Sequence, residues 1–308
     1  MTRTIVVVLH PHRGDARSAA LHVCRTLDGD GIRPVMLESE YRSLVAYTGV
    51  PETAIEVVPD NELDCLARGC ELVMVLGGDG TILKAAERFH HSGVPIMGVN
   101  LGHVGFLAES EREDLAEAVH RASARDYTVE ERMALDITVY DRDAVIHRTW
   151  ALNEATIEKS EDCRMIDLVL GVDSRPVSSF GCDGVILATP TGSTAYGFSA
   201  GGPIVWPDVE ALLMVPISAH ALFAKPLVVS PAARLGVEFL PSAPGVGAVL
   251  WCDGRREIDI PPGARIEAAR SRTPVALARL NTSPFTDRLV AKFQLPVTGW
   301  RGPVRNPQ

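Results

Sequence analysis

The chain contains no run of Lys and Arg, no Cys-x-x-Cys pair, no internal repeat and no low-complexity segment. Each absence removes a class of function. With 30 Lys and Arg against 39 Asp and Glu the formal net charge is −9, which argues against a general electrostatic grip on nucleic acid or an anionic membrane. Any phosphate site must therefore be local. The six cysteines (Cys24, Cys65, Cys70, Cys163, Cys182 and Cys252) are scattered without metal-like spacing to histidine, and read as reduced thiols of a cytoplasmic protein. No stretch approaches the roughly 18 apolar residues of a membrane span, and the early run IVVVL is too short for a signal sequence. His10, His12, His90 and His91 lack acidic or cysteine partners at ligand spacing and are expected at the surface.

What is present is a chain of 308 residues, 46% hydrophobic, enough for a real core and about two domains. From residue 4 to about 130, apolar runs (IVVVL, ELVMVL, VPIMGVN) alternate with helical segments, and uniformly apolar strands suit a parallel sheet covered on both faces. Ala19, Val23 and Leu27 share one helix face; Ile82, Ala85, Ala86 and Phe89 share another. Ser110 and Glu113 have capping-box spacing, predicting a helix start. Beyond about residue 130 the period changes to two, as in Leu135/Ile137/Val139 and Leu235/Val237/Phe239, predicting a mainly antiparallel β half with one or two short helices near 195–215. Phe285, Leu289, Val290 and Phe293 then mark a last amphipathic helix. The expected domains are 1–130, α/β; 131–284, β-rich; and 285–308, a helix and loose tail returning to the first domain.

Between strand-like ELVMVL and helical TILKAAERF lies Gly77-Gly78-Asp79-Gly80. This is the carboxyl edge of a parallel sheet, where such folds bind ligands, and a helix N-terminus favours anions there. The loop is neither GxxxxGK[ST] nor GxGxxG, because Leu83 occupies the third glycine position. The plain alternative is a tight turn. A carboxylate beside phosphates needs a compensating role: Asp79 either helps hold Mg²⁺ or accepts the proton of a hydroxyl attacking a phosphoryl group. Both are roles in a kinase. Lys84, early on the helix, is either a phosphate contact or a solvated lysine.

Gly98 to Phe106 forms a second glycine-punctuated loop, in which Asn100 offers an amide and Phe106 either a stacking face or a core side chain. Asn153-Glu154 interrupts an apolar β segment, as a bulge or exposed edge, or as partners for ribose hydroxyls or an adenine amino group. The run from Asp183-Gly184 through Thr189 to Gly202 is the densest in hydroxyls and glycines and reads as a ligand loop for a nucleoside and its phosphates. Asp253-Gly254 reads as a hairpin turn with Arg255 and Arg256 on its rim.

Taken together, GGDGT, NLGHVGF, LNE and the DG…TPTGSTAY stretch, in that order, make the sequence resemble the NAD kinase family from about Thr4 to Lys292. GGDGT alone also occurs in lipid, sphingosine and sugar kinases; the ordered set is specific. The resemblance implies a Rossmann-like α/β domain followed by a sandwich-like β-rich domain, and transfer of the terminal phosphate of Mg-ATP, or of polyphosphate in some members, to the 2'-hydroxyl of the adenosine ribose of NAD. It implies Asp79 as catalytic base with Gly80 as a backbone contact, and Asn153 and Glu154 on the NAD adenosine and ribose. It further implies Asp183 near the nicotinamide end, and Thr194, Ala195, Tyr196, Gly197, Phe198 and Ser199 as the nucleotide loop, with Lys84 and Arg164 as basic phosphate contacts. A homodimer or homotetramer is implied too. Two positions depart from the family pattern: Lys225 stands where many members carry Arg, and cannot make the same forked hydrogen bonds, and His103 stands where others carry Arg or a small residue.

Overall fold

A computed structural model describes residues 3–10, 14–62, 69–101, 105–108, 114–240, 247–280 and 284–297. The chain divides into two units, residues 1–131 with 276–308, and residues 132–275. Cys65, His12, His103, the Ser110/Glu113 pair and the tail beyond residue 297 lie outside the described residues.

The first unit alternates strands and helices in chain order: β1 (Thr4–Leu9), α1 (Gly14–Gly29), β2 (Arg33–Leu37), α2 (Glu38–Thr48), β3 (Glu56–Val58), β4 (Leu72–Leu76), α3 (Asp79–Phe89), β5 (Ile96–Val99), α4 (Leu115–Ala124) and β6 (Thr128–Arg132). The sheet runs β3-β2-β1-β4-β5, then the late strand Val275–Arg279, then β6. Pairings among the first five strands, and of β5 with the late strand, are parallel. Every residue of β1 and β4 is buried, so these β-branched and aliphatic runs need no polar face. Helix α1 contributes Ala16, Ala19, Ala20, Val23 and Leu27 to the core, and α3 buries Ile82, Ala85, Ala86 and Phe89. Burial also pushes the Cys24 thiol up to about 12, which makes it an inert core residue. His90, expected at the surface, is buried instead, its ring centroid 4.8 Å from that of His91.

The strand Val275–Arg279 corrects the boundary expected from sequence. PVALARL was expected in the β-rich half, yet Leu277 pairs in parallel with Ile96 of β5. Four of its five residues are buried, and its two alanines give the sequence no sign of which face is covered.

The second unit contains β7 (Leu135–Asp141), β8 (Ala144–Ala151), β9 (Glu154–Lys159), β10 (Ile166–Val172), β11 (Arg175–Cys182), β12 (Gly184–Ala188), β13 (Leu212–Ile217), β14 (Leu227–Val229), β15 (Leu235–Leu240), β16 (Ala248–Cys252), β17 (Arg256–Ile260) and β18 (Ala264–Arg270). They form two six-stranded antiparallel sheets, ordered β11-β10-β15-β18-β7-β8 and β14-β13-β12-β9-β16-β17. Alternate residues such as Leu135, Ile137, Val139, Leu168, Val237 and Phe239 pack with Ile157, Leu187 and Leu250 of the other sheet in one core. The second sheet is apolar on its other face as well, where Ile186, Ala188, Leu213 and Val215 pack with Val205. The predicted short helices are a single 3₁₀ turn, Gly192–Thr194, and the four-residue helix Tyr196–Ser199.

Phe239 is 1% exposed at the centre of this core. Phe239→Ala is expected to lower the unfolding free energy of this unit by about 3–5 kcal/mol in urea denaturation; a loss below about 1 kcal/mol would show that the two sheets do not depend on that cluster.

Candidate functional site

In the first unit, β4 delivers the chain into Gly77, whose N–H donates to the Val99 carbonyl of the neighbouring strand at 3.0 Å. A Cβ on Gly77 would lie 2.4 Å from Thr81 Oγ1, so the turn into α3 closes only around a glycine. Gly78 is the extended N-cap residue and Asp79 the first residue of the helix, where the dipole favours a negative charge. The Asp79 carboxylate accepts two backbone hydrogen bonds, from Phe106 N–H to Oδ2 at 3.0 Å and from Leu107 N–H to Oδ1 at 3.1 Å. A Cβ on Gly105 would stand 2.3 Å from Oδ1, so that glycine is what lets the second loop reach the carboxylate. Gly80 is exposed at the helix start.

Side chains from late in the chain hold the second loop from behind. Arg279 Nη1 donates to the Leu107 carbonyl at 3.1 Å, and Arg288 Nη1 to the Phe106 carbonyl at 3.2 Å and the Ala108 carbonyl at 3.4 Å. Phe106 is buried, its ring 5.7 Å from Phe285 and 5.8 Å from Phe293. Of its two sequence readings, the structure takes the core one. Asn100 is buried at the end of β5. Lys84 Nζ lies 3.1 Å from Oε1 of Glu40, a buried carboxylate that also pairs with Arg88 and accepts the Leu9 N–H. One carboxylate is thus shared between two cations.

In the second unit, Asn153-Glu154 is neither an exposed edge nor a simple bulge: both residues are buried where β8 passes into β9. The N–H groups of Leu152 and Asn153 donate to the Asp253 carboxylate at 3.1 and 2.7 Å, and the Asp253 N–H donates to the Glu154 carbonyl at 2.9 Å. Arg256 completes the arrangement, donating to Asp253 Oδ2 at 2.8 Å with its guanidinium 4.6 Å above the Trp150 ring. Thr189, at the exit of β12, donates through Oγ1 to the Leu152 carbonyl at 2.6 Å and through its N–H to the Asn153 carbonyl at 2.9 Å. A Cβ on Gly192 would sit 2.0 Å from the Asn153 carbonyl oxygen, a backbone atom that cannot swing away. Burial, followed by the nearby Asp253 charge, raises the Glu154 carboxyl to about 8, although the Tyr196 N–H donates to it. Its Oε2 has no hydrogen-bond partner among the described residues.

The hydroxyl-rich loop sorts into scaffold and surface. Buried Ser193 donates to the Pro190 carbonyl at 2.6 Å and accepts the Val205 N–H at 2.9 Å, and Thr194 Oγ1 donates to the Thr191 carbonyl at 3.2 Å. Tyr196, Phe198 and Ser199 are exposed, Thr194 and Ala195 half-buried, and Gly197 buried. Asp183 forms a second cluster with Lys159, 2.6 Å away, whose ammonium and the Ser218 hydroxyl hold the Asp183 carboxyl below its ordinary value. Lys159 also donates to the backbone carbonyl of exposed Arg164. Glu154 and Lys159 terminate opposite ends of β9, about 17 Å apart at about 3.4 Å per residue. The predicted residues of this unit thus fall into two groups at opposite ends of β9. Asp253, Arg256, Arg279 and Arg288 were missed; an Asp-Gly pair between two strands looks the same whether or not its carboxylate caps a distant backbone.

The first unit offers a helix N-terminus with an acid held in a glycine loop, and the second a buried carboxyl beside a hydroxyl-rich loop, features that suit a nucleotide-dependent phosphotransferase. Residues 5–127 match the model of the ATP-NAD kinase N-terminal domain, and residues 152–280 that of the ATP-NAD kinase C-terminal domain. The NAD kinase of Leifsonia xyli is 58% identical over 98% of this chain and 97% of its own length, and that of Thermobifida fusca 55% identical over 97% and 92%. The chain belongs to the ATP-NAD kinase family. Among solved structures, an NAD kinase from Archaeoglobus fulgidus in complex with ATP matches with a TM-score of 0.68 and 25% identity over 96% of this chain and 99% of that one. Yeast NADH kinase complexed with NADH matches in fold with a TM-score of 0.83 at 23% identity, over 100% of this chain and 90% of that one.

The raised Glu154 carboxyl fixes the sign of a pH effect. Above the ordinary value of 4.5 the unfolded chain gives up this proton, while the folded chain keeps it up to about 8. Stability therefore falls as pH rises through that window. Glu154→Gln is expected to show a smaller loss of stability between about pH 5 and pH 8 than wild type in urea denaturation; equal losses would mean that Glu154 is ionised in the fold.

Proposed function

We propose that the chain forms NADP by transferring the terminal phosphoryl group of ATP to the 2'-hydroxyl of the adenosine ribose of NAD. The observation that carries this reading is the Asp79 carboxylate, fixed by two peptide N–H groups beside the exposed Gly80 backbone in a chain of the ATP-NAD kinase family. As the ribose oxygen attacks phosphorus, its proton passes to the Asp79 carboxylate. The new O–P bond forms while the bond to the β–γ bridging oxygen breaks, and ADP leaves with that electron pair. Gly80 N–H contacts the phosphates at the positive end of α3, and Lys84, shared with Glu40, supplies positive charge. Asn153 and Glu154 bind the adenosine and ribose of NAD, Glu154 as a neutral carboxyl able to donate to a hydroxyl oxygen. Asp183 serves the nicotinamide end, Thr194 to Ser199 hold the nucleotide, and Arg164 is a basic phosphate contact.

Among the described residues no three Asp, Glu, His or Cys side chains converge as a metal site. Mg²⁺ brought in with the phosphates would need no such cage, and it would supply positive charge to the transferring group. Polyphosphate presents a comparable terminal phosphoryl group, and is the second donor to test. Exposed Leu222, Phe223 and Val228 on the second unit support a homodimer or homotetramer. Among the described residues no helix is long and apolar enough to cross a membrane. The scattered cysteines, without Cys-x-x-Cys or metal-like spacing, favour a cytoplasmic enzyme.

The test follows NADP with an NADP-specific dehydrogenase after incubation with NAD, Mg²⁺ and either donor. Asp79→Asn is expected to lower turnover by about 10²- to 10⁴-fold while leaving NAD affinity within about twofold. Near-wild-type turnover in that variant would remove Asp79 as the base.

A further inference from the structure

Resting on the reading of Asp79 as the base, we infer that Arg288 and Arg279 are positioning residues for the reaction, acting on Asp79 through the backbone of residues 106–108. Neither arginine hydrogen-bonds Asp79; Arg288 acts through the peptide group whose N–H reaches it, and Arg279 through the next one.

The argument is geometric. The Phe106 carbonyl and the Leu107 N–H belong to one planar peptide group, in which they point in opposite directions. Arg288 donates to the carbonyl end at 3.2 Å, and the N–H end donates to Asp79 Oδ1 at 3.1 Å. A cation fixed on one side of a rigid plane therefore fixes the donor on the other, and polarising the carbonyl strengthens that donor. Arg279 holds the next carbonyl, that of Leu107, at 3.1 Å, and is itself anchored by Glu130 at 2.6 Å. The second bond to Asp79, from Phe106 N–H, is located by the Phe106 ring, packed between Phe285 and Phe293 on the same helix that bears Arg288. Side chains from residues 279–293 thus set the backbone that sets the carboxylate. Loops are the flexible part of a fold, and proton transfer depends steeply on donor–acceptor distance, so this bracing protects turnover more than ligand affinity.

Turnover is measured for Arg288→Ala, Arg288→Lys and Arg279→Ala, with Asp79→Asn alone and combined with Arg288→Ala. Arg3→Ala, which breaks the Arg3–Glu71 pair away from the loop, reports on general destabilisation. The expected result is a fall in kcat of about 10- to 100-fold for each Arg→Ala change, with KM for ATP and NAD within about twofold. Arg288→Lys recovers part of the loss, since one ammonium reaches one carbonyl. In the Asp79→Asn background Arg288→Ala costs less than about twofold more, because both act through the same carboxylate. If Arg279→Ala, which empties a buried position, does not fold, the Arg288 variants decide. Unchanged kcat in Arg288→Ala, a rise in KM alone, the same loss in the Asp79→Asn background, or an equal loss in Arg3→Ala would overturn the inference while leaving Asp79 as base. Normal turnover of Asp79→Asn itself would overturn both.

Discussion

Two peptide N–H groups, those of Phe106 and Leu107, meet the two oxygens of Asp79, and much of the first unit is arranged around that meeting. In the proposed reaction a carboxylate beside phosphates would otherwise only repel its ligand. Held at both oxygens, it has a fixed orientation and still retains lone pairs that can accept a further hydrogen bond. The requirement explains several residues at once. Gly77 lets the chain turn tightly onto Thr81, Gly98 leaves room for Ile82, and Gly105 lets the second loop approach the carboxylate. It also accounts for the chain returning after the β-rich unit to supply a sheet strand and a helix, both of which touch the loop that makes the two bonds.

The second unit handles its acids by another route. Asp253 is buried against the backbone of Leu152 and Asn153 and paired with Arg256, while Glu154 lies close by and is held largely neutral by burial and by the Asp253 charge. A buried carboxyl that keeps its proton at neutral pH can donate a hydrogen bond without carrying a charge into an apolar setting, as the proposed contact with the ribose requires. Thr189 and Ser193 spend their hydroxyls on the scaffold, which leaves Tyr196, Phe198 and Ser199 at the surface.

Much of this was legible in the sequence. IVVVL and ELVMVL are too uniformly apolar to be anything but strands covered on both faces, and the Gly77 to Gly80 loop between strand and helix marked the sheet edge where chemistry belongs. What was hidden is long-range and mediated by the backbone. Asp253 looked like any hairpin turn, because its partners lie about a hundred residues away. Arg279 sits in a strand whose alanines disguise its two-sided burial, and Arg288 lies on a helix that periodicity finds but whose contacts it cannot assign. Phe106 had the residue type of a stacking platform, and only the nearby rings of Phe285 and Phe293 showed it to be an anchor. Side-chain pattern reports which face is covered; it does not report which carbonyl a guanidinium will reach.

The most direct measurement replaces the amide at residue 106 by an ester, incorporating the hydroxy-acid analogue of phenylalanine. This deletes the Phe106 N–H that donates to Asp79 Oδ2 and leaves the ring, the carbonyl and every other side chain in place. The account predicts that kcat for NADP formation falls by about tenfold or more with KM for NAD and ATP nearly unchanged. An ester-substituted enzyme that turns over like wild type would contradict it, because the carboxylate would then not depend on the loop that holds it.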